Sequence, residues 1–305
     1  MTRQHLALAA VMLLAGAVVS CAQTSLPVGD TDVPEIVCVI QDARIVETSG
    51  IVASRRNPGC YYLHNDSGDG PRVFLIDRTG QTRLTIRLNG ARAVDYEDIA
   101  LAPGAQPGTF DICVADIGDN AAKRADLTIY RFPEPDAKTT KPGTTIDVSV
   151  TAYRVRYADG PANAEAFLVH PQTGDGYVLT KRKDGKTHVY KLAAPWYADG
   201  QTELPRVHIV TLPPALLAAR VVTAADISPD GRRVAVRCYL GGWEWQVPVG
   251  DAAFERLFDH APEPLFLAPE QQGEALCYAA DGKSILTISE GSSPPLHETS
   301  IPAQP

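Results

Sequence analysis

Residues 47–88 read ETSGIVASRRNPGCYYLHNDSGDGPRVFLIDRTGQTRLTIRL. Four short runs rich in Val, Ile, Leu, Thr and Tyr stand out: SGIVAS, CYYLHND, RVFLIDRTG and TRLTIRL. Gly, Pro, Asn and Asp separate them. Runs of this length and make-up, bounded by turn formers, read as β-strands. The grouping recurs downstream. EDIALAP, FDICVAD, LTIYRFP and TIDVSVTAYRVRY form a second set, and EAFLVHPQTG, GYVLTKRKD, THVYKLAAP and RVHIVTLP a third. AADISPDG, RRVAVRC, GWEWQVP and EPLFLAP form a fourth. A fifth, EALCYAADG, SILTISEG and LHETSIP, lacks one strand, and EIVCVI at 35–40 is left over to supply it. Self-similar four-strand units specify an all-β fold, a β-propeller.

Turn chemistry supports the register. HPQTGDG, SPDGRR and AADGKS each fall between the first and second strand of a set, where a tight hairpin needs Gly at positive φ. Five blades, closed by the N-terminal strand, is the expected count. Two of the gaps between the leading acids Glu47, Glu97, Glu165, Asp226 and Glu274 exceed the ~40–50 residues of a usual blade, so six is the alternative. The segment PEPDAKTTKPGTT, 133–145, reads as a loop insertion, and PPALLAAR, 213–220, as a turn or two of helix.

The start of the chain has a different character. Thr2 and Arg3 lead into LALAAVMLLAGAVVS and then Cys21. A short basic start, an apolar stretch and small residues before a cysteine make a signal peptide over 1–20. VVSC resembles a lipobox, which would make Cys21 the lipidated residue, with 21–33 a polar tether and 34–305 the propeller domain. Ordinary cleavage after Ala22 is the rival, giving a soluble periplasmic or secreted protein. Both export the chain, and the first places it in a bacterial cell envelope, held to the membrane only through the anchor.

Among 305 residues the formal charge is -8, which argues against a nucleic-acid partner. There is no GxSxG elbow, phosphate-cradling glycine loop or HExxH, so no nucleophile or catalytic set can be named. Cys38, Cys60, Cys113, Cys238 and Cys277 lack zinc spacing, and an odd count leaves at least one free in a monomer, the expected state. Trp243, Trp245 and Tyr239 could stack on a sugar, but alternation puts both tryptophans on one face, which favours packing between blades.

The acids carry the functional signal. In a blade the first strand runs down the central channel and the second runs back, so the start of one and the end of the other share a face. Glu47 then meets Asn65 and Asp66, and Glu97 with Asp98 meets Asp116 and Asn120. Glu165 meets Thr180 and Lys181, Asp226 meets Arg237, and Glu274 meets Ser289 and Glu290. Crowded carboxylates raise each other's pKa or hold a cation, and calcium favours such oxygen-rich sites. Two uses follow. One is a scaffold or sensor binding a small-molecule or envelope ligand, or a divalent cation, at the channel mouth. The other is a metal-assisted hydrolase of phosphate esters or glycans, with Lys181 and Arg237 holding an anionic group. A third reading makes the acids braces that accept backbone N–H groups of the next blade, above all at Asp226.

The order ETSGI, NDSGD, DYEDIA, DIGDN, YRFPEP, NAEAF and LTK, over residues 47–181, resembles a group of exported bacterial propeller proteins. More distantly it is similar to phytase-like and esterase-like secreted propellers. The phytase likeness implies calcium held by channel-mouth carboxylates and a phosphate-ester substrate.

Overall fold

The β-branched and aromatic runs become strands arranged in five sheets around a common axis, in a computed structural model that describes residues 33–213, 219–247 and 254–302. The protein is a five-bladed β-propeller. Cys21 and the signal and tether segments lie outside the described residues, as does most of 213–220.

Blade one contains β2 (Thr48–Ala53), β3 (Cys60–Asn65), β4 (Arg72–Asp77) and β5 (Thr82–Asn89). Blade two contains β6 (Tyr96–Pro103), β7 (Phe110–Asp116), β8 (Leu127–Pro133) and β10 (Thr151–Tyr157). Blade three is β11 (Ala164–Val169), β12 (Gly176–Thr180), β13 (Lys186–Leu192) and β15 (Arg206–Thr211). Blade four is β16 (Val222–Ile227), β17 (Arg233–Cys238), β18 (Gly242–Gln246) and β19 (Glu263–Leu265). Blade five is β20 (Gly273–Tyr278), β21 (Ser284–Ser289) and β22 (Pro295–Ser300), completed by β1 (Glu35–Val39), which pairs antiparallel with β22. The leftover N-terminal strand thus closes the ring.

Two departures from the sequence reading concern outer edges. TIDVSVTAYRVRY is not one strand. Its first half, β9 (Thr144–Ser149), leaves blade two and lies parallel to β5 of blade one. Ile146 and Val148 gain cover there between the two blades, which a continuous strand would deny them. Blade two also gains β14 (Gln201–Leu204), parallel to β10. QTEL has no apolar alternation, so nothing in its composition announced a strand.

All five hairpins between first and second strands turn on the same device. Gly59, Gly108, Gly174, Gly231 and Gly282 have φ between 71° and 76°, a left-handed conformation that costs glycine little. Five apolar clusters fill the wedges between neighbouring blades, so each blade is held by two neighbours. Trp245 and Trp243 belong to the wedge between blades three and four, with Trp245 Nε1 donating to the His260 carbonyl at 3.1 Å. Their shared face serves packing. All five described cysteines are free; Cys113 is fully buried, and burial pushes its thiol up to about 12.

The feature that positions the site is a β-bulge repeated in every inner strand. Pairing skips one residue between Thr48 and Gly50, Tyr96 and Asp98, Ala164 and Ala166, Val222 and Ala224, and Gly273 and Ala275. A bulge re-aims the extra side chain. The five extra residues are Ser49, Glu97, Glu165, Thr223 and Glu274, all buried at one end of the channel.

Candidate cation site at the channel mouth

The bulges give a ring of two hydroxyls and three carboxylates. Ser49 and Thr223 are braces: Ser49 Oγ donates to the Glu97 carbonyl at 2.9 Å, and Thr223 Oγ1 to the Gly273 carbonyl at 2.8 Å. Each ties one inner strand to the next. Glu97, Glu165 and Glu274 surround Lys181, whose Nζ lies 3.0 Å from Glu165 and 3.9 Å from Glu274. Tyr239 completes the group. Its hydroxyl donates to Glu274 at 3.0 Å, and Lys181 sits 5.1 Å from its ring centre.

Sequence equivalence was off by two residues in blade one and three in blade four. The counterpart of Glu97 is Ser49, not Glu47, and in blade four it is Thr223, not Asp226. Glu47 matches Asp95, as the alignment of VETSGI with VDYEDI shows. Asp95, which the sequence reading passed over, is therefore part of the mouth. Carboxylate oxygens of Asp66, Asp95 and Glu97 lie within 4.8 Å of one another. Gly118 makes this closeness possible: a Cβ there would stand 2.2 Å from Glu97 Oε1 and 2.5 Å from Asp95 Oδ2.

Electrostatics follow from the geometry. Burial pushes Asp66 up to about 6, and Asp95, Glu274 and Glu47 add repulsion. Burial also raises Asp95, against the pull of Arg124. Glu97 is raised well above the carboxylate range by burial, then by Glu165, Asp66 and Asp95. Burial takes Glu165 to about 7, with Lys181 opposing. Glu290 is pushed to about 8 by burial and by its hydrogen bond with Glu274. Burial works against the Lys181 ammonium, but Glu165, Tyr239 and Glu274 outweigh it and raise its pKa. One ammonium faces a larger number of carboxyls, so the mouth either takes up protons or attracts a cation.

The remaining expected residues divide. Asn65 and Asp116 are braces in matching places. Asn65 Oδ1 accepts from the backbone of Val46 and Glu47, and Asp116 from Val94 and Asp95. Arg124 closes off Asp116 at 2.8 Å. Ser289 does the same for Gln272 in blade five. Asp98, fully buried, accepts from its neighbour Ile99 and from Phe167 N of blade three at 2.9 Å. Asp226 sits two residues beyond the Arg237 level, paired with Ala235, and accepts from Ile227 and from Tyr278 N of blade five. Enclosure holds its carboxyl up near 6. The brace reading is correct for both. Asn120 is exposed and receives the amide of Asn163, which also donates to Glu165. Glu47 stands exposed at the rim.

Arg237 corrects the expectation most sharply. It is wholly buried and pairs with Glu270 at 2.8 Å, and Glu270 in turn takes His297 and Thr287. A guanidinium so enclosed is not presented to a ligand. His64, next to the acids in sequence, is buried with Nδ1 2.9 Å from the Asn65 carbonyl, edge-on to Tyr96; burial lowers it to about 4, so it stays neutral.

No protein-family model matches the chain, and a search of curated proteins finds no significant relative.

Proposed function

We propose that the protein is an exported, lipid-anchored propeller of the bacterial envelope that binds a divalent cation, calcium foremost, at its acidic mouth, as a scaffold or ligand sensor. The observation that carries this is the Asp66, Asp95 and Glu97 triad, three carboxylates gathered within 4.8 Å. Hard cations prefer such oxygens. A metal-assisted hydrolase needs in addition a group to hold an anionic substrate. Arg237 is committed to Glu270, and Lys181 to Glu165, so that clamp has no support and binding without turnover is the preferred reading.

Calcium titration monitored by thermal unfolding tests it, on wild type and on Asp66→Asn with Glu97→Gln. Binding to the native state should add ~2.7 kcal/mol at a hundredfold excess over Kd, and the double variant should lose that response. A wild type unmoved by calcium, magnesium and manganese ends the proposal. Replacing Cys21 by Ser tests the anchor: the protein should move from membrane to soluble fractions. Unchanged fractionation would point instead to cleavage after Ala22.

A further inference from the structure

Four of the five wedges between blades are closed by an added element. Ile146 and Val148 of β9 fill the one between blades one and two. Trp196, with Leu204 of β14, fills the next. Leu257 and Phe258, on a short 3-10 helix (Phe254–Asp259), fill the wedge between blades three and four. Ile40 and Ile45 fill that between blades five and one. The wedge between blades four and five has the smallest buried cluster, flanked by partly buried Leu265, Leu267 and Ile301, and among the described residues no inserted element covers it.

A cleft of about 370 Å³ opens there, bordered by Leu265, Phe266, Leu267, Ile285, Thr299 and Ile301. It runs along the outer edge of the two blades, from Leu265, level with Gly242, to the ends of β18 and β22, and none of the mouth residues lines it. Phe266 is 64% exposed, an unusual placement for a large apolar side chain. Two carboxylates also line the cleft, Glu244 and Glu263, and no Lys or Arg does among the described residues. They are direct cross-strand partners on β18 and β19. Like charges set opposite each other oppose the pairing. Glu244 accepts from Tyr278 at 2.6 Å and has Arg233 at 3.7 Å, but among the described residues no cation pairs with Glu263. Thr299, 4% exposed, lines the same cleft with a hydroxyl that has no hydrogen-bond partner among the described residues. A buried hydroxyl without a partner is a cost that a ligand can remove.

We propose that this cleft binds a small amphiphilic cation, an apolar chain ending in one ammonium. The chain lies on Leu265, Leu267, Ile285 and Ile301, and the ammonium sits against Glu263 and Glu244, within reach of the Thr299 hydroxyl. A bound cation offsets the like-charge pairing, and the chain covers the open apolar wall.

Calorimetric titration with hexylammonium tests this, with hexanol and hexanoate as probes of equal chain length. Saturable binding of hexylammonium alone is expected. Glu263→Gln should weaken it by about tenfold, as for loss of one charged hydrogen-bond partner. Ile301→Trp, which fills the cleft from its edge, should abolish it while leaving the unfolding transition in place. The mouth variant Asp66→Asn with Glu97→Gln should bind as wild type does. Equal binding of hexanol or hexanoate would overturn the proposal, because the acids would then have no role. So would loss of binding in the mouth variant with retention in Glu263→Gln, or no saturable binding at all.

Discussion

Glu97 and Asp98 are adjacent, both buried, and serve different ends because a bulge separates their roles. Asp98 spends its oxygens on backbone N–H groups, one of them in the next blade. Glu97 has Ser49 Oγ at 3.3 Å from its carboxylate and otherwise faces Glu165, Asp66 and Asp95, with Lys181 as the opposing charge. A carboxyl whose pKa is raised by folding binds protons more tightly in the native state, so stability falls as pH rises from its unfolded value through its folded one. Asp66 near 6, Glu165 near 7 and Glu290 near 8 spread that loss over about pH 4 to 8, with Glu165 and Glu290 carrying the part above pH 6. His64, lowered to about 4, acts in the opposite sense between about pH 4 and 6.5 and offsets part of the fall there, so the carboxyls show most plainly above pH 6.5. Urea unfolding without divalent ions should therefore show lower stability at pH 8 than at pH 6. Saturating calcium should shrink the difference, since it replaces the protons. A curve that is flat, or that rises with pH, would mean that the mouth carries no excess repulsion.

At the scale of the element, the inner strands are joined by side chains as well as by apolar packing. Asp226 bridges β16 to Tyr278 N on β20, as Asp98 bridges β6 to Phe167 N on β11. Removing the carboxylate leaves buried N–H groups without acceptors, at ~1–3 kcal/mol for each. Asp226→Ala should thus lower unfolding stability by ~2–4 kcal/mol while calcium still raises the midpoint, whereas Glu47→Ala, at an exposed rim, should stay within ~0.5 kcal/mol. If the two variants were equally stable, the brace assignment would fall. The strands themselves were legible, since SGIVAS or EALCYAADG can hardly be anything else. So were the hairpins, because SPDG and AADG state their glycine requirement. The bulge was not. It adds a residue without changing composition, and it moved the equivalence from Glu47 to Ser49 and from Asp226 to Thr223. Asp95 was lost for the same reason. The strand β14 escaped, and so did the break that sends β9 to blade one, because an outermost strand needs only one covered face.

Across the whole molecule, the ring exists because a chain end returns to its beginning. Arg237 illustrates what sequence order does not reveal at this scale: its partner Glu270 comes from the link into the next blade, and the pair is hidden beneath Gly273. Closure depends on β1, whose ladder to β22 runs from Glu35 with Glu298 to Val39 with Pro295. Ile40 then donates its N–H to Pro294 and buries its side chain between blades five and one. A chain beginning at residue 40 keeps that apolar plug but loses the ladder. The edge of β22 would be bared, and unpaired edges recruit other strands. Compared with a chain beginning at residue 33, it should lose ~3 kcal/mol or more of stability, several net hydrogen bonds at ~1 kcal/mol each, and elute as larger species in size exclusion. An unchanged urea midpoint together with an unchanged elution volume would show that blade five stands without its fourth strand, and that the ring is held by the wedges alone.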